Sequence, residues 1–161
     1  MAVDMFLKID DIKGESRDDK HKDEIDVLAW SWGASQSGTM HMGGGGGAGK
    51  VNVQDLSLTK YVDKASPVLF QRICDGKHFK KAELFVRKAG GKPIEYVIIE
   101  LSEVIVTSVS TGGSGGEDRL TENISLNFAK MKFKYTGQTE TGGEQAANPV
   151  GWSVAENKTW D

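Results

Sequence analysis

Cysteine is almost absent from this chain. Cys74 is the only one, which excludes an internal disulfide framework and any metal site built from cysteines alone. Histidine is scarce as well: His21, His41 and His78 lie more than four residues apart, so none joins a cysteine–histidine cluster at zinc-ligand spacing. A basic excess is missing, since the net charge is −3, and a general nucleic-acid binder would carry a basic surface. No apolar run approaches the roughly 18 residues that span a bilayer. Met1 to Asp10 has no basic segment followed by an apolar core, so no secretory signal is expected there. No local motif suggests a serine, histidine and acid arrangement, and nothing points to an enzyme or to a bound cofactor.

What the chain does have is enough length for one domain with a real core. It has 161 residues, 38% hydrophobic and 27% charged, as soluble globular proteins do. Met5 to Ile9 predicts a first strand. Asp10 to Glu24 is dense in charge of both signs; its spacing misses the EF-hand pattern and its lysines would compete with a cation, so a solvated loop is expected. Ile25 to Ser37 predicts a long strand with Leu28, Trp30 and Trp32 on one side and Ala29, Ser31 and Gly33 on the other. Val51–Gln54 and Leu56–Tyr61 are strand-like, with a slip of phase between them of the kind a bulge produces.

One helix is expected near 66–75, with Ser66 as N-cap, Pro67 in the first helical position and Gly76 as the C-terminal cap. Leu69, Phe70, Ile73 and Cys74 would form its buried stripe, with Cys74 a small buried hydrophobe. Lys81 to Lys88 alternates Ala82, Leu84 and Val86 against Glu83, Phe85 and Arg87. Ala89 to Lys92 reads as a hairpin turn. Ile94 to Val109 is a long strand, apolar on both faces. Alternation returns from Arg119 to Tyr135, interrupted by Glu122, and after Tyr135 the composition becomes that of a linker-like tail. About seven strands and one helix predict a mainly β fold, a two-sheet antiparallel β-barrel or sandwich with one flanking α-helix. The barrel domain is expected over 1–135, and 136–161 is a C-terminal tail.

Seven of the twenty glycines lie between Gly38 and Gly49. Gly44, four residues, then Gly49-Lys50 fits most of the phosphate-cradling P-loop pattern. Val51, however, stands where a magnesium-binding hydroxyl is needed. The sequence that follows is strand-like rather than the start of a helix. Nucleotide chemistry is therefore rejected. A glycine run is costly to order, which makes sense if a neighbouring subunit orders it.

Three stretches together resemble one family: Ile25-Asp-Val-Leu-Ala-Trp-Ser-Trp-Gly33, the segment Met40 to Ser57, and Ser110-Thr-Gly-Gly-Ser-Gly-Gly-Glu-Asp-Arg-Leu-Thr-Glu-Asn123. They are similar to the haemolysin-coregulated protein (Hcp) family of bacterial type VI secretion, from Met1 to about Tyr135. The resemblance implies a two-sheet barrel that closes into a hexameric ring. Rings would stack head to tail into a tube that the sheath, tip and baseplate proteins of the apparatus act on. It implies a non-enzymatic tube protein made in the bacterial cytoplasm and secreted without an N-terminal signal, its lumen holding small effector proteins.

The same resemblance makes the long loop an inter-ring element. Its expected residues are Met40, His41, Met42, then Gly43, Gly44, Gly45, Gly46 and Gly47, then Ala48, Gly49 and Lys50. The small-residue face opposite the tryptophans would then suit a lumen lining, with Ser31 its most accessible polar group. The rival reading is a stand-alone β-sandwich that binds carbohydrate or peptide, since tryptophans and polar loops suit one.

Overall fold

The computed structural model describes residues 3–38, 40–41, 49–88 and 93–161. Its strands are β1 (Val3–Ile9), β2 (Ile25–Ser31), β3 (Ala34–Ser35), β4 (Asn52–Val53), β5 (Leu56–Tyr61), β6 (Phe79–Lys88), β7 (Ile94–Thr111), β8 (Thr121–Gln138), β9 (Glu144–Ser153) and β10 (Lys158–Thr159). One helix, α1 (Ala65–Asp75), connects β5 to β6. All pairings are antiparallel. β1, β2, β5, β8, β7 and β6 follow one another around a closed six-stranded barrel. The mainly β architecture with a flanking helix is the expected one.

Alternation places most of the core. Ala82, Leu84 and Val86 of β6 point inward beside Leu101, Ile99 and Val97 of β7, because period-two side chains on paired strands share a face. The two longest strands need more than alternation. In β7, from Val97 onward, the inward residues are odd-numbered up to Leu101 and even-numbered at Val104 and Val106. The change falls at Glu103, whose φ of 55° lies in the left-handed region, uncommon for a side chain other than glycine. A register irregularity between Val106 and Ser108 turns Val109 back onto the core. A further irregularity opposite Val86 and Arg87 leaves even-numbered Ile94 buried, so the double-sided apolarity of this strand is a core phase that switches at each of these points.

β2 uses the same device. Ile25 and Val27 are buried, the register shifts between Val27 and Ala29, and Trp30 and Trp32 then pack on the core. Leu28 is the extra residue of that bulge and is exposed, so it does not share a face with the tryptophans as strict period two predicts. The expected long strand is also split. Beyond Ser31 the chain leaves the barrel, and β3 pairs with β4 in a separate two-stranded hairpin.

The helix departs from expectation at its start and on its buried face. It begins at Ala65, with Lys64 in the capping position, and the Asp63 carboxylate accepts the Ala65 N–H at 2.9 Å. Ser66 is not the N-cap. Its hydroxyl accepts from the Asp63 N–H at 2.9 Å and joins a buried cluster with Lys60 and Glu122. Gly76 does end the helix, at φ 66°, its N–H donating to the Arg72 carbonyl. The buried face is Ala65, Ser66 and Leu69, while Phe70, Ile73 and Cys74 are exposed. The helix therefore meets the barrel one side-chain row away from the apolar stripe.

The charged Asp10–Glu24 segment is a loop with most of its charged side chains exposed, and it is folded down onto the barrel at a few buried residues. Ile12, Gly14, Ser16 and His21 are buried. His21 lies between Phe6 and Phe85, with ring centroids 4.5 and 4.8 Å away. Its Nδ1 meets Glu24 at 3.0 Å, and its Nε2 meets Glu95. Burial pushes the Glu24 carboxyl above its ordinary value, and the hydrogen bond from His21 opposes that.

The segment after Tyr135, linker-like by composition, is strand in the structure. β8 runs on to Gln138, β9 returns along it from Glu144 to Ser153, and β10 pairs with β9. Trp160 lies over Lys132 at 4.2 Å, and its N–H donates to Gly151. Glycine fits position 151 because a Cβ there would lie 2.1 Å from the Trp160 carbonyl oxygen. The Ala89–Lys92 turn lies outside the described residues.

Candidate functional site

Ser31, at the end of β2, is exposed on the outer side of the barrel wall. Its neighbours follow from pairing alone. Ser31 stands beside Ser57 of β5, Ser57 beside Ser125 of β8, and Ser125 beside Ser108 of β7. Four serines form one row across four strands, since residues directly opposite in an antiparallel ladder share a face. A parallel row runs Ala29, Thr59, Asn123 and Ser110. The two rows border a shallow depression of about 280 Å³.

This face carries short hydroxyl and amide groups that satisfy one another. The Thr59 hydroxyl donates to Asn123 at 2.7 Å. Ser125 lies within 2.7 Å of the Thr107 hydroxyl and 2.6 Å of the Ser108 hydroxyl, and the register irregularity at this point brings both to it. The Asp55 carboxylate accepts from Thr107 at 2.7 Å and from Asn127 at 2.8 Å. The result is a wall of short polar groups with the single Asp55 carboxylate at its margin. Its chemistry offers many weak hydrogen bonds and no nucleophile–base pair.

The hairpin that carries the glycine run follows soon after Ser31, where the chain leaves the barrel. β3 and β4 form its stem, pinned where Trp32 Nε1 donates to the Gln54 carbonyl at 2.9 Å and Gln54 N–H to Gly33 at 2.8 Å. Farther out, Gln36 donates to the Gly49 carbonyl at 2.9 Å. Met40, His41 and Lys50 are exposed and Gly49 is half-buried, so these four stand at the outer end of the stem. Met42 to Ala48, including Gly43–Gly47, lie outside the described residues. Lys50 leads into strand β4 rather than into a helix, so no helix N-terminus follows it to face a phosphate.

Lys60, Asp63, Ser66 and Glu122 are brought together without any sequence signal. They meet inside the barrel under the start of α1, where Lys60 and Glu122 are fully buried. A serine beside a lysine and a carboxylate resembles a catalytic set, but no substrate reaches it. Among the described residues, no group of three His, Cys, Asp or Glu side chains is arranged to hold a metal ion. No described helix is long and apolar enough to cross a membrane.

Comparison with known proteins places these features in a family. Residues 6–135 match the family model described as type VI secretion system effector, Hcp. The chain is 62% identical over 160 residues to Protein hcp1 of Pseudomonas aeruginosa, covering 98% of each. Among solved structures it is similar to a type six secretion system protein, with TM-score 0.93 and 34% identity over 99% of this chain and 100% of that one. It is also similar to Hcp1 from Salmonella typhimurium, with TM-score 0.81 and 42% identity over the same shares.

Proposed function

Because this chain belongs to the Hcp family of type VI secretion, we propose that it is the repeating subunit of a secreted tube. Six copies close into a ring, and rings stack head to tail. The tube passes from the bacterial cytoplasm through the secretion apparatus, and its lumen carries small effector proteins. Its partners are further copies of itself, the sheath, tip and baseplate proteins, and those effectors. Its role is structural, without a catalytic step.

One observation carries this reading. The hydroxyl-lined sheet β2-β5-β8-β7 has an unpaired edge on each side among the described residues. β1 pairs with β2 only at Ile25 and Asp26, which frees residues 27–31 of β2. β6 pairs with β7 only as far as Val104, which frees residues 105–111. Unpaired edges invite another strand. Two different edges on opposite flanks support a head-to-tail contact, the kind that generates a ring when its rotation closes. Sheets joined in this way would line the ring with the rows of Ser31 and Thr59.

Native mass spectrometry over a range of concentrations tests the reading. A hexamer supports it. A monomer at every concentration overturns it.

A further inference from the structure

Among the described residues, two apolar surfaces have no partner within the subunit. On α1, Leu69 is buried, while Phe70 is 51% and Ile73 37% exposed, with Cys74 exposed beside them. Residues at i, i+3 and i+4 share one helix face, so the three form a convex ridge.

The second surface is concave. The sheet face that seals the barrel does not stop at its wall. The row that contains Leu101 continues to Met131 and Trp152, and the row that contains Ile99 continues to Phe133 and Val150. β9 lies outside the closed barrel, so this continuation overhangs. Trp32 stacks on Phe133 at 6.0 Å, and Val51 and Val53 of the hairpin stem form the far side. Between them lies a groove of about 550 Å³, into which Val150 is 61% exposed.

The two surfaces lie on opposite flanks of the four-stranded sheet. The ridge belongs to the helix that packs against β7, the strand with the free edge at 105–111. The groove begins at Trp32–Ala34, directly after the free edge of β2. Leu69 and Trp32 both pack on the core, so ridge and groove share the side of the sheet that faces away from the hydroxyl rows. Joining the β7 edge of one copy to the β2 edge of the next brings one ridge to one groove at the same seam. A two-fold contact would instead set ridge against ridge. A short stretch of strand edge also buries far less than the roughly 800 Å² per partner of a stable interface, so the seam needs side-chain burial of this kind.

We propose that the Phe70–Ile73–Cys74 ridge of one subunit seats in the Trp32–Phe133–Val150 groove of the next copy. This rests on the ring reading and assigns its side-chain contact. Cys74, the only cysteine of the chain, reports on it directly. In Val150→Cys protein treated with a short bis-maleimide, covalent multimers up to the full ring are expected on a denaturing gel. None is expected with Cys74→Ser added. In the unaltered protein, alkylation of Cys74 should slow about tenfold or more between dilute monomer and ring. Phe70→Glu should raise the concentration needed for assembly about tenfold or more, as loss of an interface anchor does. A ring seen by mass spectrometry whose Cys74 alkylates as fast as in the monomer, with no multimers from Val150→Cys, overturns the pairing and leaves the ring intact. A chain that never leaves the monomer overturns both.

Discussion

Lys60 of β5 and Glu122 of β8 are ladder partners that close a salt bridge inside the barrel, their side chains 0% and 1% exposed. They occupy the inward phase that Leu58 and Ile124 fill one row away, so each replaces an aliphatic side chain. The Ser66 and Asp63 oxygens and the Tyr61 carbonyl complete the Lys60 shell at 3.1, 3.0 and 2.9 Å, which ties the first turn of α1 to the wall. A buried charge with its partner removed is costly, whereas replacing both partners by apolar groups can be nearly neutral. Lys60→Met should therefore lower stability by about 3–5 kcal/mol. Lys60→Met with Glu122→Leu should recover most of that loss. Urea unfolding midpoints at one fixed protein concentration check it, and a double variant as unstable as the single one would mean that the cluster holds α1 by some other route.

Asp18 and Arg87 fasten the folded-down acidic segment to β6. Two hydrogen bonds from the Arg87 guanidinium, at 2.5 and 3.0 Å, hold the Asp18 carboxyl at about 2 against its ordinary 3.8, and partial burial opposes them. A carboxyl whose value is depressed on folding adds stability above its unfolded value and loses it as pH falls toward its folded one. The contribution should be complete above about pH 4 to 5 and vanish toward about pH 2. Asp18→Asn should lower stability at neutral pH and flatten the acid limb in that window. Unfolding free energies measured from pH 6 to pH 2 decide it: parallel curves for variant and parent would show that the pair adds nothing.

Strand periodicity made much of this fold legible, and Gly76 marked the end of the helix correctly. The places it missed share physical causes. Parity cannot register a bulge, so Leu28 read as sharing a face with Trp30 and Trp32 and β7 read as double-faced. Glu122 read as an interruption because its partner Lys60 is 62 residues away. The burial of His21 within the charged segment went unread because the Phe6 and Phe85 rings that cover it come from other strands. Phe70, Ile73 and Cys74 read as buried because an apolar residue reserved for a neighbouring chain carries the same signal as a core one. At the candidate site Ser31 was legible from alternation, but Ser57, Ser125 and Ser108 became its row only through pairing.

The hydroxyl rows predict how cargo responds to bulk. Ser31 borders the depression with Ser57 and Ser125, and a large side chain there would fill it without touching the core. Ser31→Tyr should leave ring assembly unchanged and reduce co-purification of a lumenal effector severalfold. Size-exclusion chromatography with quantitative immunoblotting separates the two effects. Undiminished effector recovery would remove Ser31 from the lumen wall.

Deleting Gly43–Gly47 tests the hairpin as a stacking element. The β3–β4 stem is held by hydrogen bonds within the subunit, from Trp32 to Gln54 and from Gln36 to Gly49, so the barrel should not need the glycine run. A run of this composition loses more backbone entropy on ordering than any other sequence, a cost that contact with the next ring would offset. The deletion should keep the melting temperature and the single ring while abolishing stacked tubes and secretion. Electron microscopy of concentrated rings and blotting of culture supernatant provide the two readouts. Stacked tubes from the deletion variant would rule the run out as the stacking contact, and loss of folding would mean that it packs on its own subunit.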